Sequence, residues 1–200
     1  MIKLYGSGPS RWVRAYWTLN ELGLAFEPIQ VSIREGENRR PEFLALNPFG
    51  KLPVLVDDDL TLFESAAICT YLADKCPEQN LIPRAGTPER AKHEQWVSFA
   101  ITELEQPLWR IHRHRMIYPE ARRIPAEIEI AKEDFRAIAR AFEPIVTDYL
   151  VGDRFTVADI MATYSLKWSM GYGLLDDTPR LTAYVKKHLS RPAFPSNLMK

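Results

Sequence analysis

Residues 47–65 read NPFGKLPVLVDDDLTLFES, and their order of turn, strand, turn, strand and helix start decides the architecture around them. Asn47 to Gly50 carry turn chemistry: an Asn side chain that can mimic backbone, a fixed φ and a glycine. Pro53 to Val56 form a short apolar strand, Asp57 to Asp59 a polar hairpin turn, and Leu60 to Phe63 the returning strand. Glu64 and Ser65 then open an apolar-periodic run, with Ser65 at the N-cap position. Pro53 stands out because it occupies the start of a strand, one of the few strand positions that tolerate proline. An X-Pro bond is also the only one that turns cis cheaply, at about 0.5–1 kcal/mol. A cis Leu52–Pro53 bond would turn the Leu52 backbone outward, free to pair with an extended peptide.

Toward the N-terminus, Ile2 to Tyr5 alternate as a first strand and residues 6–9 read as a loop. Ser10 can cap a helix through about Leu22, with Trp12, Val13, Tyr16, Trp17, Leu19 and Leu22 at helical spacing. Gly23 is placed to take the left-handed conformation that ends it. Phe26 to Ile33 read as a second strand, 41–46 as a short helix and 65–75 as a longer one. A β-α-β unit followed by a hairpin and a closing helix predicts a thioredoxin-like α/β domain over residues 1–76. Residues 77–87 are rich in Pro and polar side chains and read as a linker. Beyond them the periodicity is helical over 88–117, over 125–150, from Thr156 onward and over 179–189, so residues 88–200 are expected to form an all-α domain. Thr156 and Asp159 precede an apolar run in a capping-box spacing, a folding element rather than a catalytic one.

The chain of 200 residues carries 26 Lys/Arg against 26 Asp/Glu, so bulk attraction to nucleic acid or an anionic membrane is not expected. Residues 1–80 hold 8 basic and 11 acidic side chains, a mild asymmetry that decides little. The basic run Arg110 to Arg115, with Arg122 and Arg123, reads as a solvated or inter-subunit face. His112 and His114, two apart, leave different faces of a helix, and no metal is expected. Cys69 and Cys76 lie seven apart on one predicted helix. Their Cα atoms would be about 10 Å apart, beyond the roughly 7 Å that a disulfide spans. Free thiols, together with opening residues that lack a signal-peptide pattern, point to a cytoplasmic protein. No apolar run approaches the roughly 18 residues of a membrane span.

The sequence GKLPVL, then a hairpin, then Glu64-Ser65, closely resembles the glutathione-binding half of the glutathione S-transferase family. An α/β domain followed by a helical one is that family's layout, so the resemblance covers nearly the whole chain. The Thr156–Asp159 box looks like the family's helix-capping signature. Ser10 to Leu24 is similar to the first helix of bacterial, theta- and phi-like members that use Ser or Cys there. The resemblance implies an enzyme that joins the thiolate of glutathione to a small electrophile, with glutathione as co-substrate. A thiol of pKa near 8.5 is about 3% ionised at pH 7; lowering it by two units, roughly 2.7 kcal/mol, leaves about three-quarters ionised. A hydroxyl donating to the anion supplies about 1.5–3 kcal/mol, and a helix N-terminus about 0.3–1 more. One well-placed hydroxyl is sufficient.

The resemblance implies Ser10 as that hydroxyl, with Ser7 the second candidate and Tyr5 the third; an N-cap is the other role open to Ser10. The chain departs from phi-like members here, since an ungapped match sets Pro9 in their catalytic column. Leu52, before Pro53, would offer its N–H and C=O to the cysteinyl backbone of glutathione. Glu64 would meet the γ-glutamyl ammonium and Ser65, at a helix N-terminus, the γ-glutamyl carboxylate. Arg39 or Lys51 would pair with the glycine carboxylate. Phi-like members have His and Lys where this chain has Asn38 and Arg39. Trp12, Arg113, Tyr164 and Trp168 are candidates for the electrophile pocket, and Phe49 for a homodimer contact. Two other readings are open: glutathione-dependent disulfide reduction, and a non-enzymatic interaction module on the same fold. The module predicts a damaged glutathione site, whereas Leu52, Pro53, Glu64 and Ser65 are all present.

Overall fold

Alternating burial along β1 (Ile2–Gly6) sets the two faces of the sheet: Ile2, Leu4 and Gly6 are buried, and Lys3 and Tyr5 between them are half-buried. The computed structural model describes residues 1–199, which divide into two units: Met1–Ile82 together with 191–199, and Pro83–Ser190.

In the N-terminal unit the strand order is β2 (Phe26–Gln30), β1, β3 (Val54–Asp57), β4 (Leu60–Phe63). β1 runs parallel to β2 and antiparallel to β3, and β4 returns antiparallel on β3. A parallel pair needs a crossover, which α1 (Trp12–Leu22) supplies. A Cβ on Gly6 would meet Trp12 at 2.4 Å, so only glycine lets α1 lie this close to the strand. α1 packs beside α3 (Ser65–Lys75), and Trp12, Val13, Ile68 and Leu72 are fully buried, as are the cross-strand partners Leu4 and Leu55. A second apolar cluster gathers Val31, Leu52, Val54 and Phe43 from α2 (Pro41–Leu44), with Tyr5, Leu46 and Phe63 against it. β2 is an edge strand and carries Pro28, which costs least there. This is the thioredoxin-like α/β architecture expected from the sequence.

Residues 191–199 return to this unit. Arg191 grips Glu21 through Nε and Nη2 at 2.6 and 2.8 Å, Asn20 donates to the Ala193 carbonyl at 2.9 Å, and Phe194 stands edge-on to Trp17 at 5.0 Å. The residues expected to close the all-α domain therefore complete the α/β unit instead, and the division at 82/83 falls inside the expected linker. Lys200, the last residue of that expected domain, lies outside the described residues.

In the second unit the span 88–117 is helical throughout but not one α-helix. α4 (Pro88–Phe99) passes into a π-helical stretch, Ala100–Glu105, then α5 (Gln106–His112), then a second π stretch, Arg113–Ile117. Pro107, with no N–H to donate, sits where the first π stretch returns to α-helix. α6 (Pro125–Phe142) stops well short of Leu150 because Pro144 disfavours helix at the residue before it. Arg110 ties α5 to α6 through Glu127 at 2.6 Å and Asp134 at 2.5 Å. α7 (Val157–Met170) is buried at every position from Val157 to Leu166 and forms the core against which α8 (Pro179–Leu189) packs. The capping box at Thr156 forms. Asp159 accepts from the Thr156 amide at 2.8 Å and its hydroxyl at 3.0 Å, and also from the Leu150 amide and the Tyr184 hydroxyl. Among the described residues no helix is long and apolar enough to cross a membrane.

Candidate functional site

The sheet register gathers the expected site at one end of the N-terminal unit. Tyr5, Val54 and Phe63 form a row across β1, β3 and β4. Immediately beyond that row lie the loop holding Ser7 and Ser10, the turn holding Lys51, Leu52 and Pro53, and the Glu64–Ser65 step into α3.

Ser10 precedes α1, whose N-cap is Arg11, and its side chain does not cap the helix. Only its carbonyl takes part, accepting from the Val13 amide at 3.0 Å. Its Oγ is shielded from solvent and has no hydrogen-bond partner among the described residues. A shielded hydroxyl without a partner is uncommon, because burial takes away the water that would otherwise satisfy it. Its hydrogen bond is left to give. Ser7 is half-buried in the same loop, and Tyr5 packs its ring edge-on to Phe43 at 6.4 Å.

The Leu52–Pro53 peptide bond is cis. Leu52 buries its side chain in the second apolar cluster, while its N–H and C=O make no hydrogen bond to a described residue. The turn before it is braced from two sides. Asn38 donates to the Gly50 carbonyl at 2.7 Å and Asn47 to the Lys51 carbonyl at 2.9 Å. Arg39 reaches the Phe49 carbonyl at 3.4 Å, so Arg39 and Lys51, both exposed, share this corner. Gly50 has φ +60°, and a Cβ there would meet the Asn38 carbonyl at 2.7 Å. Glycine is therefore required for the loop bearing Arg39 to approach Lys51.

Glu64, not Ser65, is the N-cap of α3, and it is exposed with φ +73° and ψ +113°. Ser65 is the first helical residue, and its buried Oγ accepts from Arg14 Nη1 at 3.3 Å. Arg14 was not anticipated from the sequence. The one available signal was a cation among Val13, Trp17 and Leu19 on the apolar face of α1, where a charge is costly unless it has work to do.

The electrophile-pocket candidates are divided between the units. Trp12 is fully buried and donates to the Gly8 carbonyl at 2.8 Å, which makes it a core residue with no surface to offer a ligand. In the helical unit Tyr164 is buried on α7, and Trp168, half-buried, meets His112 edge-on at 5.6 Å. Arg113 lies over the Tyr118 ring at 4.8 Å, with Arg122 at the same distance. The structure thus joins Trp168 to His112 and Arg113 to Tyr118. Cys69 and Cys76 are free and buried. Burial pushes the Cys69 thiol up to about 11, with Thr18 and the Arg14 charge pulling it back, and burial also raises Cys76. Neither is a nucleophile at neutral pH. Among the described residues no cluster of His, Cys, Asp and Glu could hold a metal ion.

Residues 1–74 match the family model for the glutathione S-transferase N-terminal domain, and residues 109–192 the model for its C-terminal domain. Glutathione S-transferase F10 of Arabidopsis thaliana is 33% identical over 90% of this chain and 88% of its own. Glutathione S-transferase 3 of Zea mays is 33% identical over 96% of this chain and 91% of its own. Among solved structures, glutathione transferase F7 of Populus trichocarpa superposes with a TM-score of 0.89, at 31% identity and full coverage of both chains. The transferase URE2P6 of Phanerochaete chrysosporium, solved with oxidized glutathione, gives 0.87 at 27% identity, covering 98% of this chain and 94% of its own.

Proposed function

Because the chain belongs to the glutathione S-transferase family, we propose that it conjugates the thiolate of glutathione to a small electrophile, with Ser10 as the hydroxyl that holds the thiolate. Glutathione is the co-substrate. In this reading its cysteinyl backbone lies along the N–H and C=O of Leu52, which no described residue occupies. Its γ-glutamyl ammonium meets Glu64, its γ-glutamyl carboxylate meets Ser65 and the free amides opening α3, and its glycine carboxylate meets the corner shared by Arg39 and Lys51. The sulfur then attacks the electrophilic centre and the leaving group departs.

The observation that carries the assignment of Ser10 is its shielded, partnerless Oγ at the head of α1. That hydroxyl neither caps the helix nor bonds elsewhere, which supports a Ser-type member of the theta- and phi-like kind. The same thiolate serves disulfide reduction, but both protein thiols are buried with raised pKa, so glutathione itself would have to carry that reaction. In the helical unit Trp168, Tyr164 and Arg113 stay as the pocket residues of this proposal. Phe49, 62% exposed and propped edge-on by Phe63, is the residue expected at the contact between two copies. Sedimentation of the purified chain at monomer mass would exclude that contact. The free cysteines fit a reducing cytoplasm.

Ser10→Ala tests the central claim. Losing a hydrogen bond to an anion, about 1.5–3 kcal/mol, should raise the thiol pKa of bound glutathione by about one to two units. Turnover of a generic aryl halide at neutral pH should fall roughly 3- to 25-fold with the thiolate fraction. The thiol titration is read from thiolate absorbance. Wild-type pKa and turnover in the variant would move the role to Ser7.

A further inference from the structure

We propose that Arg14 is a positioning residue for the γ-glutamyl end of glutathione, fixing the Ser65 hydroxyl as a donor toward the ligand's carboxylate. This rests on the site reading above and adds to it a residue that never touches the ligand.

Arg14 is only 1% exposed, on the face of α1 that packs against α3. Its Nη1 lies 3.3 Å from Ser65 Oγ, and Ser65 is the first residue of α3. A guanidinium has five donors and no acceptor, so Ser65 must be the acceptor in this contact. A serine hydroxyl has a single proton and rotates to suit its surroundings. With Arg14 approaching its lone pairs from the interior, the proton is turned away from α1. A serine early in a helix could otherwise spend that proton on a nearby backbone carbonyl. Held this way, Ser65 presents a donor beside the unpaired amides of the α3 N-terminus, where an anion is favoured.

The charge adds a second effect. Burial removes most of the screening that would weaken a guanidinium charge at the surface. Its reach into α3 shows at Cys69, one turn beyond Ser65, whose thiol feels the Arg14 charge. The place of Arg14 is itself fixed: its amide donates to the Arg11 carbonyl at 3.2 Å, and its carbonyl accepts from the Thr18 hydroxyl at 2.9 Å. The loop end before α1 and the helix's first turn therefore carry two groups that serve one ligand, Ser10 for the sulfur and Arg14, through Ser65, for the γ-glutamyl carboxylate.

The experiment compares glutathione with cysteinylglycine, which lacks the γ-glutamyl residue, by calorimetric titration. In the wild type the site reading predicts strong preference for glutathione. Arg14→Met should weaken glutathione at least 10-fold and cysteinylglycine less than 2-fold, so the preference collapses. In a Ser65→Ala background the same change should cost less than 3-fold, and Arg14→Lys should recover part of the preference. Equal weakening of both ligands, or an unchanged preference, would overturn the role of Arg14. If Arg14→Met does not fold, Arg14→Lys decides: a preference reduced at least 3-fold supports the proposal, and an unchanged one rejects it. A wild type that binds both ligands alike would instead overturn the site reading itself.

Discussion

Glu64 holds φ +73° and ψ +113°, a backbone region where a residue with a Cβ pays about 1–3 kcal/mol. Glycine visits such values freely, yet the chain places a charged residue there. Glu64→Gly should therefore raise stability by about 1 kcal/mol, after the entropy glycine adds to the unfolded chain. Under the proposed site, the same change should weaken glutathione, because the carboxylate assigned to its ammonium is gone. Glu64→Gln, which keeps the backbone restraint, should lose affinity without gaining stability. Denaturant midpoints and calorimetric titration of both variants check the pair of outcomes, and a destabilised glycine variant would show that the backbone is unstrained. Residues of this kind were only partly legible in the sequence. Leu52, Pro53, Glu64 and Ser65 stand within one short stretch whose turn chemistry fixes their neighbours, so the cis bond and the start of α3 could be anticipated together. Ser65 was expected as an N-cap, and its contact with Arg14 spans 51 positions of chain, which no local pattern encodes.

At the scale of elements, β3 is tied to α3 through one carboxylate. Asp57, at the end of β3, accepts from the Tyr71 hydroxyl at 2.8 Å and from the Lys75 ammonium, both on α3. The Lys75 hydrogen bond, joined by Tyr71, holds the Asp57 carboxyl below the usual carboxylate range, and the same bond raises Lys75. An acid whose folded pKa lies below its unfolded value contributes stability above the unfolded value and loses it as pH falls through the folded one. For Asp57 that means full contribution above about pH 4, lost on further acidification; Lys75 sets the other limit, near pH 10. Asp57→Asn should lower the melting temperature at pH 7, and the gap from wild type should close between about pH 4 and pH 2. A gap that stays constant through that range would show that the carboxylate charge is not what holds β3 to α3. The hairpin, α7 and α8 were legible because alternation, the capping box and Pro179 mark their limits locally. The π stretches around α5 were not, because they shift the hydrogen-bond ladder by one residue without changing which side chains are apolar.

Across the whole molecule, the N-terminal unit is closed by residues that follow the helical unit in the chain. Removing residues 191–200 would take away the Arg191 grip on Glu21, whose side chain is 10% exposed, and the edge-on contact of Phe194 with Trp17. An aromatic pair is worth about 0.5–1.5 kcal/mol and a charge-assisted pair about 1.5–3 kcal/mol. The truncated chain should melt roughly 5–10 °C lower, at about 2–4 °C per kcal/mol for this size. Trp17 emission should shift to the red as its indole gains water. Unchanged melting and emission would show that the segment adds nothing to the unit it joins.

The same return has a bearing on synthesis. A ribosome delivers β1, α1 and the hairpin first, then more than a hundred residues of another unit, and only afterwards Arg191 and Phe194. Domains ordinarily fold in the order they are made. Here the N-terminal unit waits for a segment made after the whole of the helical unit before Trp17 and Glu21 are covered. Until then the nascent chain carries an indole and a half-shielded carboxylate on an otherwise finished surface, a natural handle for whatever attends new polypeptides. Translation that stops early leaves that handle exposed, so an incomplete copy is marked by the part of the molecule that was made correctly.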